Sequence, residues 1–205
     1  ALRMIAGLET ISDGTMTIGD RVVNEVEPKD RDIAMVFQNY ALYPHMSVYD
    51  NLAFGLKARR RSKAEIDSAT RQAAEMLGIA DLLSRRPATL SAGQRGRVAL
   101  GRALSFQPRV LCLDEPLSAL DDETRLHMIQ LLRDVRKHTH VTALHVTHNL
   151  AEARSLADCL FRIEGGRIEL DPMSLAVVER HGRDVAVAEA IDRPVQAGRR
   201  VLPAR

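Results

Sequence analysis

Two rhythms of apolar positions alternate along this chain. Short, nearly continuous apolar runs predict buried strands, and apolar residues recurring every three or four positions predict amphipathic helices. Leu2, Met4, Ile5 and Leu8 carry the helical spacing, ended by Gly7 and the turn Ser12-Asp13-Gly14. No Ser, Thr, Asp or Asn precedes them as a cap, so they read as the back half of a helix whose front is expected before Ala1. GTMTIGDRVV predicts a hairpin turning at Gly19-Asp20, and Asp32 to Gln38 a strand ending in a polar residue. Helices are expected from Ser47 to Arg59, Ser62 to Leu77 and Ser91 to Leu104, with Ser47 and Ser91 as caps. VLCLD, from Val110 to Asp114, is apolar enough to be buried on both faces of a parallel sheet, and VTALHVT repeats that signature after a helix from about Asp122 to Lys137. A short helix from Asn149 to Ala157 and a hairpin turning at Gly165-Gly166 follow. The alternation makes the fold class α/β, with active groups expected at the carboxyl ends of the strands. From Asp171 onward, Arg, Ala and Val with Pro194 and Pro203 read as a poorly defined tail.

Composition narrows this picture in a few places. The 205 residues suit one domain with a tail, and 45% hydrophobic residues with 3% aromatics and no Trp imply an aliphatic core. A net charge of +2 gives no case for nucleic acid as a partner, and the basic run Lys57, Arg59, Arg60, Arg61, Lys63 reads as a solvated helix end. Cys112 and Cys159 lie in apolar strands, as small buried residues of a reduced compartment would. No apolar run approaches the roughly 18 residues of a membrane span and no secretory leader is read, so a membrane connection is expected to run through a partner.

The chemistry concentrates in three stretches. VLCLDEP delivers two adjacent carboxylates, Asp114 and Glu115, at the end of a buried strand, and Pro116 stops the strand there. The first suits Mg²⁺ and the second suits deprotonating a water; a solvated strand end is the plainer alternative. In LSAGQRGRVALGRAL, Ser91, Gly93 and Gln94 open a helix, where backbone N–H groups and a hydroxyl can hold an anion; a capped helix and nothing more is the commoner case. In HVTHN, His148 follows a buried strand and can contact a phosphate or an attacking water.

LSAGQRGRVALGRAL, VLCLDEPLSALD and HVTH together resemble, in order and spacing, the signature motif, Walker B, D-loop and switch histidine of ATP-binding cassette (ABC) ATPases; AMVFQNYALYPHMSVYDNLAFGLK resembles their Q-loop segment. The resemblance spans Ala1 to Leu170 and is nearest to ATPase subunits of bacterial importers for sugars and related solutes, with HVTHNLAEARSLAD also similar to molybdate or sulfate types. It implies a P-loop NTPase-like ABC ATPase domain over 1–170: a parallel-sheet core with a helical, signature-bearing subdomain at 47–105, here lacking its N-terminal strands, and a tail at 171–205. ATP and Mg²⁺ are the implied ligands. Residue by residue, Gln38 would sense Mg²⁺ and the attacking water, Asp114 would hold Mg²⁺, Glu115 would be the base and His148 would contact the γ-phosphate. Ser91, Gly93 and Gln94 would reach ATP held by the opposite subunit of a head-to-tail pair, either a homodimer or two paired ATPase subunits. Asp121 would couple the two sites, and Tyr40 to Leu56 would receive a transmembrane permease subunit at the cytoplasmic face of the inner membrane.

Two departures stand out. The signature's L-S-G-G-Q reads here with Ala92 at its first glycine, and the 205 residues contain no G-x-x-x-x-G-K-[ST] phosphate loop. The chain as given is therefore expected not to hold ATP in its own site, and to be marginally stable with exposed apolar surface. A degenerate, non-catalytic cassette serving as dimer partner or regulator is one alternative. A soluble ABC ATPase is another, disfavoured in its repair and chromosome forms because Asn39 to Thr89 carries no sustained heptads. His138, His140, His145 and His148 lack the spacing of a metal site. The stretch beyond Asp171 is too short for the small β-barrel that importers of this family often add.

Overall fold

A computed structural model describes residues 2–139 and 141–171, and the backbone of 187–191. Its elements run α1 (Leu2–Ile5), β1 (Thr17–Ile18), β2 (Arg21–Val22), β3 (Ile33–Val36), α2 (Val48–Ala58), α3 (Lys63–Met76), α4 (Ala92–Leu104) and β4 (Val110–Asp114). Then come α5 (Asp122–His138), β5 (Thr142–Thr147), α6 (Leu150–Leu156), β6 (Cys159–Glu164), β7 (Arg167–Leu170) and β8 (Val187–Ile191). Local chemistry explains most boundaries. Ser47 accepts the Asp50 N–H to start α2, Ser62 and Ser91 form capping boxes with Glu65 and Gln94, and Asn149 accepts two N–H groups at the start of α6. At the end of α1, Gly7 takes φ +76° while Leu8 N–H reaches Arg3 and Gly7 N–H reaches Met4, a glycine-closed helix stop. Buried Arg31 adds hydrogen bonds to the Met4 and Ile5 carbonyls there.

The main sheet is ordered β3-β4-β5-β8-β6-β7, with every pair parallel except the β6–β7 hairpin. Leu52, Leu77, Ile79 and Leu100 of the α2–α4 layer share one buried cluster with Val36, Leu111 and Leu113 of the sheet, so helices and sheet have a continuous core. On the other side Leu2 packs with Cys112 and Val146. Both cysteines are buried and unpaired with each other, and burial pushes the Cys112 thiol up to about 12. Among the described residues no helix is long and apolar enough to cross a membrane.

One expectation is corrected. The tail beyond Asp171 was assigned no element, yet β8 lies inside the sheet, paired with β5 through Leu144↔Val187 and with β6 through Cys159↔Val187. VAEAI lacks the continuous apolar run that marks VLCLD, so its strand character comes from ladders on both sides. The rest of that tail lies outside the described residues. Among the described residues the exposed large apolar side chains are Leu8, Val22, Phe54, Leu126, Leu150 and Ile168, scattered singly over separate elements as on any folded surface.

Candidate active site

Parallel pairing sets the carboxyl ends of β3, β4 and β5 side by side, where sheets of this kind place their sites. Gln38 follows β3, Asp114 ends β4 and His148 follows β5. Directly after β4 the backbone turns left-handed at Glu115, φ +46°, with its N–H donating to the Val146 carbonyl at 2.9 Å. A non-glycine residue in that conformation costs on the order of 1–3 kcal/mol and marks sites where side-chain direction matters. The turn aims Glu115 at His148, with Oε2 3.0 Å from Nδ1. The Glu115 side chain is 27% exposed and that of His148 61%, so both are open to a ligand.

Ser118 extends the constellation. Its hydroxyl donates to the Glu115 carbonyl at 2.9 Å, and the Gln38 amide nitrogen donates to Ser118 at 3.3 Å. Gln38, Ser118, Glu115 and His148 thus form one connected polar line. Sequence reasoning passed over Ser118, because its place in PLSALD says nothing about a partner on another strand. The Asp114 carboxylate has no side-chain hydrogen bond among the described residues, and Gln38 bonds through its amide nitrogen. That leaves a carboxylate and an amide oxygen at adjacent strand ends, hard oxygen donors that fit Mg²⁺, which takes few protein ligands and keeps waters and phosphate oxygens.

A second group gathers where α4 and α5 begin. Ser91 Oγ accepts the Gln94 N–H at 3.2 Å and Gln94 Oε1 accepts the Ser91 N–H at 3.0 Å. At Gly93 a Cβ would meet Thr124 Cγ2 at 2.5 Å, so the close approach of α4 to α5 itself requires glycine. Asp121 in turn grips Thr124, accepting its N–H at 2.9 Å and its hydroxyl at 2.8 Å. Ala92, the departure from the double-glycine signature, has its methyl against the buried cluster of Leu117, Leu120 and Met128. Among the described residues no hydrogen bond joins this group to the Glu115–His148 pair.

The Thr124 backbone N–H, then its hydroxyl, holds the Asp121 carboxyl below its usual range. With the folded pKa depressed, the contribution is present above the ordinary value near 3.8 and is lost as pH falls through the folded pKa. Asp121→Asn keeps a cap acceptor but does not titrate. The melting-temperature advantage of the native chain over D121N is therefore expected at about pH 6 and should shrink as the pH is lowered through the folded pKa. A gap independent of pH in that series would contradict the assignment.

The histidines divide by environment. His145 on β5 is buried, its Nε2 2.6 Å from Glu152 Oε1 on α6, with side chains only 6% and 4% exposed. This pair, unforeseen from the sequence, ties α6 to the strand that delivers His148. His140 lies outside the described residues, and His138 bonds the Asp134 carbonyl.

Residues 1–118 match the family model described as "ABC transporter", and the chain belongs to that family. It is 54% identical over 179 residues to the sn-glycerol-3-phosphate import ATP-binding protein UgpC of Cupriavidus metallidurans, covering 87% of this chain and 49% of that protein. Against UgpC of Rhodopseudomonas palustris strain BisB18 it is 56% identical over 168 residues, covering 82% and 46%. Against UgpC of Ralstonia nicotianae it is 46% identical over 224 aligned positions, covering 96% and 61%. The chain thus spans about half the length of the first two relatives.

Proposed function

We propose that this chain is the greater part of the ATP-binding cassette of an ABC importer subunit, whose ATP hydrolysis drives solute uptake through a membrane permease. The observation that carries the reading is the Glu115–His148 pair, 3.0 Å apart, which shares the ends of three adjacent parallel strands with Asp114 and Gln38. Glu115 takes the proton of the attacking water. His148 faces Glu115 through Nδ1, which leaves its Nε2 edge to contact the γ-phosphate. Asp114 and the Gln38 amide oxygen would hold Mg²⁺, which would supply positive charge against the phosphate oxygens.

Ser91, Gly93 and Gln94 present the start of α4 to ATP bound by the facing subunit, and Asp121 links the two sites. The segment Tyr40 to Leu56 docks the permease, which places the subunit peripherally at the cytoplasmic face of the membrane. The relatives are import proteins for sn-glycerol-3-phosphate, which supports a small organic phosphate as the solute.

The test is reconstitution of the natural subunit with a transmembrane permease in proteoliposomes. ATP-dependent uptake of radiolabelled sn-glycerol-3-phosphate is expected. Hydrolysis and uptake of a different solute would keep the ATPase reading and discard the solute. Absence of any ATP hydrolysis would favour the non-catalytic alternative.

A further inference from the structure

The segment between β3 and α2 carries two consecutive left-handed residues that are not glycine, Tyr40 at φ +61° and Ala41 at φ +43°. Such a pair persists only where surrounding contacts fix it. Arg102 of α4 supplies them, donating to the Ala41 carbonyl at 2.7 Å and the Tyr40 carbonyl at 3.1 Å, with its guanidinium 5.3 Å from the centre of the Tyr43 ring.

The conformation sends the Tyr40 side chain inward. Its ring is buried and lies over Gly96 of α4, where a Cβ would come within 3.3 Å of its tip. The hydroxyl donates to the Pro116 carbonyl at 3.0 Å. Burial raises the hydroxyl's pKa, which keeps it a donor. Pro116 is the residue next to Glu115, in a turn pinned by Glu115 N–H on Val146 and Ser118 Oγ on the Glu115 carbonyl. A displacement of Tyr40 therefore moves this turn or breaks the bond.

The outer end of the segment is equally well tied. Tyr43 stacks against Phe54 with ring centres 4.5 Å apart. Asn51, fully buried, accepts the Tyr43 N–H at 2.9 Å and donates to the Tyr43 and Ser47 carbonyls. Phe54 remains 38% exposed, so a partner pressing on it engages a block that runs without a loose joint to Tyr40.

We infer that Tyr40 is a positioning residue: through its hydroxyl bond to the Pro116 carbonyl it transmits the state of the permease-facing block to Glu115. The inference rests on the importer reading above and adds a particular route to it. Gln38 touches the same turn only through Ser118, by a longer bond on the exposed side.

The experiment is Tyr40→Phe, which deletes one oxygen and keeps the ring over Gly96. In the natural subunit, amide hydrogen exchange at Ser118 and Leu120, both hydrogen-bonded within the turn, should quicken about tenfold, the scale of one lost hydrogen bond, with α3 unchanged. In the reconstituted transporter, permease-stimulated kcat should fall about tenfold with KM for ATP unchanged. Arg102→Gln should lower stimulation in the native background and have no added effect in Y40F.

Unchanged exchange overturns the inference, as does faster exchange with full stimulation. A parallel rise in KM also overturns it, since that reports general damage to the nucleotide site. A native transporter without permease-stimulated hydrolysis would overturn the importer reading and this inference with it. A stimulated native transporter with an indifferent Y40F overturns this inference alone.

Discussion

Glu115→Gln is expected to slow ATP hydrolysis in the assembled transporter by about 10²–10⁴-fold, the usual contribution of a positioned base. The amide preserves shape and a contact to His148 but cannot accept the proton of the attacking water. The left-handed backbone at Glu115, the bond from its N–H to Val146 and the Ser118 hydroxyl on its carbonyl are all main-chain features that the substitution keeps. Nucleotide affinity should consequently be retained, so E115Q should hold ATP without turning it over. Single-turnover phosphate release beside equilibrium ATP binding separates the two quantities. A fall of less than about fivefold in release would remove Glu115 from the role of base.

The largest effect on stability is expected at the His145–Glu152 pair. Replacing His145 with Leu leaves the Glu152 carboxyl, 4% exposed, without its 2.6 Å partner. Stranding a buried ionisable group costs about 3–5 kcal/mol, against near neutrality when both members are replaced by apolar residues of similar volume. H145L should therefore lower the urea midpoint sharply, and H145L combined with Glu152→Met should recover most of the loss. A single variant as stable as the native chain, or a double variant no better than the single, would show that the pair does not hold α6 to β5. Because His148 and the cap Asn149 lie between the two members, the same single variant should loosen the Glu115–His148 contact.

Much of the fold was legible because its signals are local. A Ser or Asn ahead of a helix satisfies N–H groups two or three residues away, so Ser47, Ser62, Ser91 and Asn149 mark α2, α3, α4 and α6 without reference to the rest of the chain. The turns at Gly19-Asp20 and Gly165-Gly166 are legible for the same reason, since Gly19 in the first and both glycines in the second supply positive φ where the strands reverse. Buried strands announce themselves by nearly continuous apolar runs, as VLCLD does and as Ala143, Leu144 and Val146 do more sparsely in TALHVT. Asp114, Glu115 and His148 were nameable because each follows or ends such a strand, whereas Gln38 was named through the resemblance to the Q-loop segment.

Tertiary structure alone decided what depends on residues distant in sequence. VAEAI is a strand only because β5 and β6 leave hydrogen-bonding edges on both sides of it. Gly93 is required by Thr124, Tyr40 finds Pro116, and Gln38 finds Ser118, each across a span that no periodicity reports. His145 read as one more histidine beside a strand until α6 set Glu152 against it. The chain's own chemistry determines which residues cap, turn and alternate, because those energies are settled within a helical turn or a hairpin. Which polar groups meet is settled by packing, where a buried group left unpartnered costs more than any local preference can return.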